Sequence, residues 1–523
     1  MDLFVSGVIE SFKLCGDPLL MLLLTGGAIW GAIVGALPGV GPTLGIAMVL
    51  PFTFTMDPVY AIALTMSINV GDSFGNSIPA ILIGVPGSSS AVLTAIDGYM
   101  LHKQGKSSLA LGITYFSSCF AQFISVFFFL AMVVPLSGLA YVFLTPEMAA
   151  LYFLGMTTVI SISSENILKG LLAGAFGFLL SMAGHDPVNG AARFVYNTEM
   201  LNGIQVIPVV LGLLAMSELF RSMRQSFQWG ELVGGKFTAK FPPVKSLIQA
   251  LPRIMIGTVI GAVLGAIPGL GGTAAAFISY SQSKLWSKHP EEYGHGSIEG
   301  VAANEAAQNA AQAGEMVPTF GLGIPAGGPM VMVLAACLIH GFVPGPQMIR
   351  QTPELLYAAS GGMLLTTFIL VIIGWPMCIY TLKLMALDRQ LILIGCIWLT
   401  LAGVFTLNNS VFDVFLLFLF GVVGYCMRRY GYSVAAASVA VILGEGLESN
   451  LRGGLLLAGG WWPFLTRPWV TLILAIAFAL LIYGTWGTIK LARRDAAARR
   501  QALAAHLTRV SASDNQSDAR LSR

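Results

Sequence analysis

A handful of carboxylates, amides and hydroxyls stand in stretches of this chain that are otherwise apolar. Asp72 lies among Ser67, Asn69, Ser73 and Asn76, and Glu305 among Asn304, Gln308, Asn309, Gln312 and Glu315. Asn304, Gln308 and Gln312 recur at i,i+4, as do Glu305 and Asn309, the spacing that stacks side chains on one helix face. Carboxylate, amide and carbonyl oxygens gathered together suit a small hard cation. Asn69, Asp72, Asn76, Asn304, Glu305 and Asn309 are therefore the candidate cation ligands. The ion would be Na+ or H+, and no other metal or cofactor is expected. Taken singly, each of these residues reads better as an interhelical hydrogen bond, and it is the set that suits a cation.

A second set suits an anion. Gly31–Thr43 returns as Gly261–Thr273 at a constant offset of 230, with eight of thirteen positions identical. Both copies run an apolar helix into a Pro-Gly-x-Gly break. Downstream, Pro79, Gly84 and Pro86 match Pro318, Gly323 and Pro325 at an offset of 239. Proline removes a backbone donor and glycine permits left-handed turns, so both repeated stretches must interrupt helices. Exposed amides at such breaks bind anions through helix N-termini. The candidate substrate contacts are Pro38, Gly39, Gly41, Thr43 and Gly87–Ser90 in the first half. In the second they are Gly269, Gly271, Thr273, Pro325, Gly327 and Gly328. No Lys or Arg occurs between Lys13 and Lys103 or between Lys288 and Arg350, so these breaks offer an anion no arginine clamp.

The elements that position these residues follow from composition. Of 523 residues, 56% are hydrophobic and 10% charged, and the mean hydropathy is +0.78. A span needs about 20 apolar residues. Runs of that kind recur near 17–36, 109–135, 146–163, 168–184, 203–220, 254–267, 355–382, 391–407, 411–427, 433–447 and 467–489. The fold expected is an all-α polytopic membrane protein of about ten to twelve transmembrane helices, with two inverted repeats, broken helices and re-entrant hairpins. Backbone freed at membrane depth must line a cavity or be buried in protein. Asp72 at that depth is a functional candidate for the same reason. Paired Gly/Pro-interrupted segments in two halves point to a transporter's binding site.

The expected organisation is an N-terminal segment 1–16, repeat one at 17–225, a cytoplasmic linker 226–253, repeat two at 254–455, a final helix within 456–490 and a cytoplasmic tail 491–523. Met1–Lys13 lacks a basic leader, so the first helix reads as retained. Arg221, Arg224, Lys236, Lys240, Lys245 and Arg253 face one acid, Glu231, which puts the linker inside by the positive-inside rule. Arg428 and Arg429 make another inside anchor, and Lys490 to Arg500 a third. Counting crossings from Arg429 puts Arg452 outside, whereas its counterpart Arg221 is inside, and repeat ends on opposite faces mean inverted topology. The first part of the tail reads as a helix extension and its last dozen residues as disordered.

Other classes fit poorly. The net charge of +3 is spread over loops and tail, so no basic face speaks for nucleic acid. Pro268–Thr273 lacks the Gly-Lys-Ser/Thr of a phosphate-binding loop. The histidines form no HExxH, and no nucleophile elbow occurs, so no enzyme is expected. Six scattered cysteines form no CxxC and read as small apolar residues. A passive channel or assembly scaffold remains the alternative from another class.

These residues resemble the large permease subunit of the tripartite tricarboxylate transporters, over about 15–490. The likeness is carried by Gly35–Phe54 with its Pro-Gly-Val-Gly-Pro-Thr and Leu50-Pro51-Phe52-Thr53, by Gly71–Ser89, by Gly265–Thr273, and by Glu299-Gly300-Val301 through Gly323-Ile324-Pro325. The family pattern has Pro at Asn304, Asn at Gln308 and Gly-Ser at Ala326-Gly327. The resemblance implies a cation-coupled symporter of the bacterial inner membrane that imports di- and tricarboxylates or related organic acids. It also implies a small membrane subunit of about four helices and a periplasmic substrate-binding protein as partners, and leaves room for a homo-oligomer. Related TRAP-type permeases suggest an elevator-like motion and, as an alternative, another organic acid as substrate.

Overall fold

The computed structural model describes residues 2–37, 41–138, 143–162, 166–186, 190–196, 198–200, 203–224, 241–268, 270–384, 389–482 and 485. Pro38, Gly39, Gly269, linker residues 225–240 and the tail 491–523 lie outside the described residues.

The first half runs α1 (Asp2–Lys13), α2 (Pro18–Ala36), α3 (Gly41–Thr53), α4 (Pro58–Gly75), α5 (Ser77–Ile83), α6 (Val92–Lys103), α7 (Ser107–Ser137), α8 (Thr145–Ile162) and α9 (Ile167–Ser181). Asp17 caps α2 and Asp57 caps α4, each carboxylate accepting first-turn N–H groups beside a helix-initiating proline. A short hairpin, β1 (Gly184–His185) with β2 (Ala192–Arg193), leads to α10 (Val206–Leu211). A π-helical turn at Gly212–Met216 joins α10 to α11 (Ser217–Met223).

The second half repeats this order. It runs α12 (Val244–Gly265), α13 (Gly271–Leu285), α14 (Ile298–Leu322), α15 (Gly328–Ile339), α16 (Pro346–Gln351), α17 (Pro353–Leu384), α18 (Arg389–Asn408), α19 (Val411–Arg429) and α20 (Val434–Ala458). α21 (Trp461–Leu465) and α22 (Pro468–Ile482) close the described chain. α12 begins at Val244, within the stretch read as linker, because its basic first turns continue the helix without lengthening the apolar run.

Among the described residues, seven helices are long and apolar enough to cross a membrane, and five shorter apolar helices accompany them. The shorter ones include Gly41–Thr53 and Gly328–Ile339, which start at breaks within the protein. α4 and α14 belong to neither group, yet Ala61–Gly75 and Gly300–Gly321 are buried throughout. Apolar helices wrap them, so their polar side chains meet protein and cavity instead of lipid.

The halves interlock. The long α7 of the first half packs on α12 and α14 of the second, and the long α17 of the second packs on α2 and α4 of the first. A further layer joins α8 and α9 to α20. Each main hydrophobic core draws residues from both halves, so the two repeats share a single interior.

Candidate functional site

The repeated glycines set the distance between helices. A Cβ on Gly31 would lie 2.2 Å from the Ile68 carbonyl oxygen, and one on Gly35 2.3 Å from that of Asp72. Cβ atoms on Gly261 and Gly265 would each lie 2.3 Å from the carbonyls of Ala307 and Ala311. Gly-x-x-x-Gly is thus a docking stripe that brings α2 onto α4 and α12 onto α14 backbone to backbone. Those contacts fix how α4 and α14 rotate, and hence which of their polar residues face inward.

Glycine, not proline, ends the next helices. Pro79 and Pro318 lie within α5 and α14. The chain turns at Gly84 (φ +71°) and Gly323 (φ +72°), left-handed caps that side chains rarely adopt. Val-Pro-Gly or Ile-Pro-Ala-Gly then crosses the interior before α6 and α15 begin. Gly41 and Gly271, with φ of +71° and +59°, start α3 and α13 in the same way. Four helix N-termini, those of α3, α13, α15 and the Ser89–Ala91 turn leading into α6, therefore meet around one space.

That space is a cavity of about 350 Å³. Two of its contacts relate the halves. The Ser89 and Thr273 hydroxyls lie 2.7 Å apart, tying the second break of half one to the first break of half two. The equivalent contact pairs Gly328 with Thr43, where a Cβ on Gly328 would lie 2.6 Å from Thr43 Oγ1. Glycine there removes one hydroxyl of the pair, so the two sides of the cavity differ chemically.

The floor is built from matched polar triplets. Asn69 and Ser73 of α4 and Asn76 at its C-terminal cap correspond to Gln308, Gln312 and Glu315 of α14 at the offset of 239, and all six line the cavity. Gln312 Nε2 donates to the Asn69 carbonyl at 2.8 Å and to the Ser73 hydroxyl, an equivalent position. Asn76 Nδ2 donates to Ser88 Oγ at 2.8 Å, and the Gly272 N–H donates to Glu315 Oε1 at 3.2 Å. Asp72, whose counterpart is Ala311, breaks the symmetry.

Asp72 is fully buried, and neither carboxylate oxygen has a hydrogen-bond partner. Asn69 is in the same position with both amide atoms, and Gln308 Oε1 and Gln312 Oε1 are also unpaired. A buried carboxylate without a partner is costly. All four residues line the cavity, and carboxylate and amide oxygens are donors of the kind a small hard cation would take.

Glu305 is placed differently. Its carboxylate accepts from Ser77 Oγ at 2.7 Å, Gln308 Nε2 at 2.8 Å, Ser118 Oγ at 3.4 Å and the Thr94 hydroxyl. Asn304 Nδ2 donates to Thr94 Oγ1 and Ser90 O, and Asn309 Nδ2 donates to Ser118 Oγ. This network sews α5, α6 and α7 to α14 beside the cavity, and Asn304, Glu305 and Asn309 do not line it. Asn69, Asp72 and Asn76 do, as do Thr43, Ser88, Ser89, Ser90, Gly271, Thr273, Pro325, Gly327 and Gly328. Gly41 and Gly87 line an adjoining cavity. Gly87 also lets the crossing segment touch the first break, since a Cβ there would lie 2.0 Å from Gly35 O.

The apolar wall opposite, Val159 of α8 with Ala435 and Val439 of α20, has no signature in the sequence. The matched triplets leave a partial one: the 239 offset takes Asn69, Ser73 and Asn76 to Gln308, Gln312 and Glu315 and gives Glu305 an apolar counterpart, Met66, but it also takes Thr65 to Asn304, outside the cavity.

An all-α polytopic protein whose interrupted helices enclose a buried polar cavity has the architecture of a solute transporter. The described helices that span or enter the membrane and the cavity between the two halves together define that class. Residues 20–438 match the family model described as the tripartite tricarboxylate transporter TctA family, and the chain belongs to that family. Its members are large subunits of tripartite tricarboxylate transporters, multi-pass membrane proteins of a transporter class that works with further subunits and a substrate-binding protein. Two proteins of Agrobacterium vitis are similar. One, described as an uncharacterized 52.8 kDa protein in the TAR-I ttuC' 3' region, is 33% identical over 95% of this chain and 98% of its own. The other, an uncharacterized protein in the TAR-II ttuC' 3' region, is 32% identical over 44% of this chain and 95% of its own. No solved structure matches the chain significantly.

Proposed function

We propose that the chain is the permease of a cation-coupled importer of di- and tricarboxylates, with the substrate on the four helix N-termini and the coupling cation at Asp72. One observation carries this reading. Among the described residues, the cavity lining contains two carboxylates, Asp72 and Glu315, and no Lys, Arg or His, while four helix N-termini surround it. Each N-terminus contributes roughly half a positive charge, so together they offer an anion about two. A substrate carboxylate about 6 Å from Asp72 or Glu315 meets a repulsion of about 3 kcal/mol from each at an effective dielectric near 20. Helix ends alone leave no surplus, and a bound cation or proton supplies it. Uptake then requires the cation, which is coupling.

The reciprocal packing of α7 and α17 supports repeats of inverted topology, and the basic residues Arg221 and Arg428 support a cytoplasmic position for that end. The apolar wall of Val159, Ala435 and Val439 suits a sliding, elevator-like motion of the cavity-bearing core. A periplasmic binding protein and a small membrane subunit of about four helices would complete the system in a bacterial inner membrane.

The test is labelled citrate or succinate uptake into proteoliposomes that hold the full chain with its small subunit, fed by the binding protein. Uptake should require an inward Na+ or proton gradient. Equal uptake with and without either gradient would reject coupling and favour a passive channel.

A further inference from the structure

Two ion-pair triads stand at equivalent places in the two halves. Glu218 of α11 pairs with Arg221 at 2.6 Å and with Arg428 at 3.2 Å. Glu448 of α20, 230 residues later, pairs with Arg452 at 2.9 Å and Arg193 at 2.7 Å. The offset is that of the first repeated motif. In each triad one arginine follows the acid within about a turn and the other comes from a distant element.

Their charge differs. The second triad holds a further acid, Asp186, 2.6 Å from Arg452 and 3.5 Å from Arg193, so two arginines meet two carboxylates. Among the described residues, the first sets two arginines against Glu218 alone and keeps a net charge of +1. It also lines a cavity of about 520 Å³, which shares Pro42, Thr43, Ser88, Ser89, Gly328 and Ala435 with the helix-end cavity. The two spaces adjoin at the helix N-termini.

We propose that Arg428, seconded by Arg221, is an anion-binding station through which the substrate carboxylate leaves the helix-end site, with Glu218 a resident carboxylate that the substrate displaces. This rests on the carboxylate-transport reading above. The chain already holds Arg428 in place: Nε donates to Ser217 Oγ at 3.1 Å and Nη2 to the Leu214 carbonyl at 3.4 Å. Leu214 lies in the π-helical turn, a distortion that often accompanies functional sites. Gly424 brings α19 close enough for this, since a Cβ there would lie 2.7 Å from Leu213 O. Nη1 is left facing Glu218, and the side chain remains 30% exposed. A carboxylate that replaces Glu218 meets the Nη1 donors of a charged guanidinium that its other two nitrogens already hold in place. The direction follows from charge. Once the cation leaves, the substrate faces the carboxylates of Asp72 and Glu315 and is drawn toward the positive vestibule, on the face that the basic anchors assign to the cytoplasm.

The experiment uses the complete transporter in proteoliposomes of known orientation, with citrate as probe, measured separately from each face. Arg428→Gln should raise the cytoplasmic-face KM about tenfold to a hundredfold, the range for losing a charged hydrogen bond, and leave the outer-face KM within about twofold of wild type on the same argument. Arg428→Lys should recover part of the loss. Glu218→Gln, which removes the competitor, should lower the cytoplasmic-face KM. An unchanged cytoplasmic-face KM in Arg428→Gln, or a change confined to the outer face or equal at both, overturns the station. If Arg428→Gln does not reach the membrane, Glu218→Gln decides alone, and an unchanged or raised KM there overturns it. Wild-type transporter that moves neither citrate nor succinate under any gradient would remove the carboxylate reading itself.

Discussion

Asp72→Asn separates a cation ligand from a structural residue because the two roles move stability in opposite directions. Asp72 is fully buried, and both of its carboxylate oxygens lack partners. The amide has nearly the same shape, so the packing of Gly35 against the Asp72 carbonyl is untouched. Removing an unpaired buried charge relieves a desolvation penalty, so the ion-free protein should melt at a higher temperature. The cation loses a full charge at contact range, about 4 kcal/mol at 4 Å and an effective dielectric near 20. At about 1.4 kcal/mol per decade this is at most on the order of a thousandfold in Kd. The retained amide oxygen still ligates, so about tenfold is the lower expectation by the same conversion. The assay is thermal unfolding of detergent-solubilised protein across a Na+ or pH titration. Wild type should gain about 2.7 kcal/mol when the ion reaches a hundred times its Kd, and Asp72→Asn should show that gain only at far higher concentration. A lower ion-free melting temperature with an unshifted ion titration would refute the reasoning and make Asp72 a structural residue.

Three further perturbations probe neighbouring parts of the site. Glu305→Ala strips the acceptor from Ser77, Thr94, Ser118 and Gln308. It should cost about 3–5 kcal/mol, the range for breaking a buried polar network, and lower membrane abundance while leaving the ion concentration for half-maximal uptake unchanged. Normal abundance with a shifted ion requirement would make Glu305 a ligand. Ser89→Ala and Thr273→Val share one hydrogen bond. Each should weaken citrate affinity by about 1 kcal/mol, and a double-mutant cycle should show the pair to be less than additive. Gly87→Ala forces a Cβ to 2.0 Å from Gly35 O and 2.7 Å from Asn76 Cα, both backbone, and should abolish folded protein in membranes. Gly26→Ala meets nothing within 4 Å and serves as its control in the same abundance assay.

Much of the cavity lining can be read before any folding is considered. Thr43, Thr273, Ser88–Ser90 and the second breaks were reachable from two repeat offsets, because a duplicated break must serve both halves. Asp72 and Asn69 were reachable because a polar residue at membrane depth requires a reason. The choice among the acids of α14 was not. Ala303, Ala307 and Ala311 dock on α12, Glu305 and Asn309 turn toward α7, and Gln308, Gln312 and Glu315 face the cavity. Helical spacing places residues on common faces but does not say which neighbour each face meets. Leu50-Pro51-Phe52-Thr53, specific as a family mark, forms the end of α3 and lines neither cavity.

What the sequence determines alone is the solvent, the duplication and the points where helices must stop. These are local consequences of apolar run length, of matched Gly and Pro, and of backbone conformations open chiefly to glycine. What tertiary structure decides is rotation and long-range company. The glycine stripes of α2 and α12 set the roll of α4 and α14, which brings Asp72 to the cavity and leaves Glu305 in the adjoining network. The interlocking of the halves carries Arg428 to Glu218, 210 residues away in the chain, beside helix breaks that themselves contain no arginine. Such pairs have no sequence signature, because their proximity comes from packing energy summed over whole helices and not from the residues that meet.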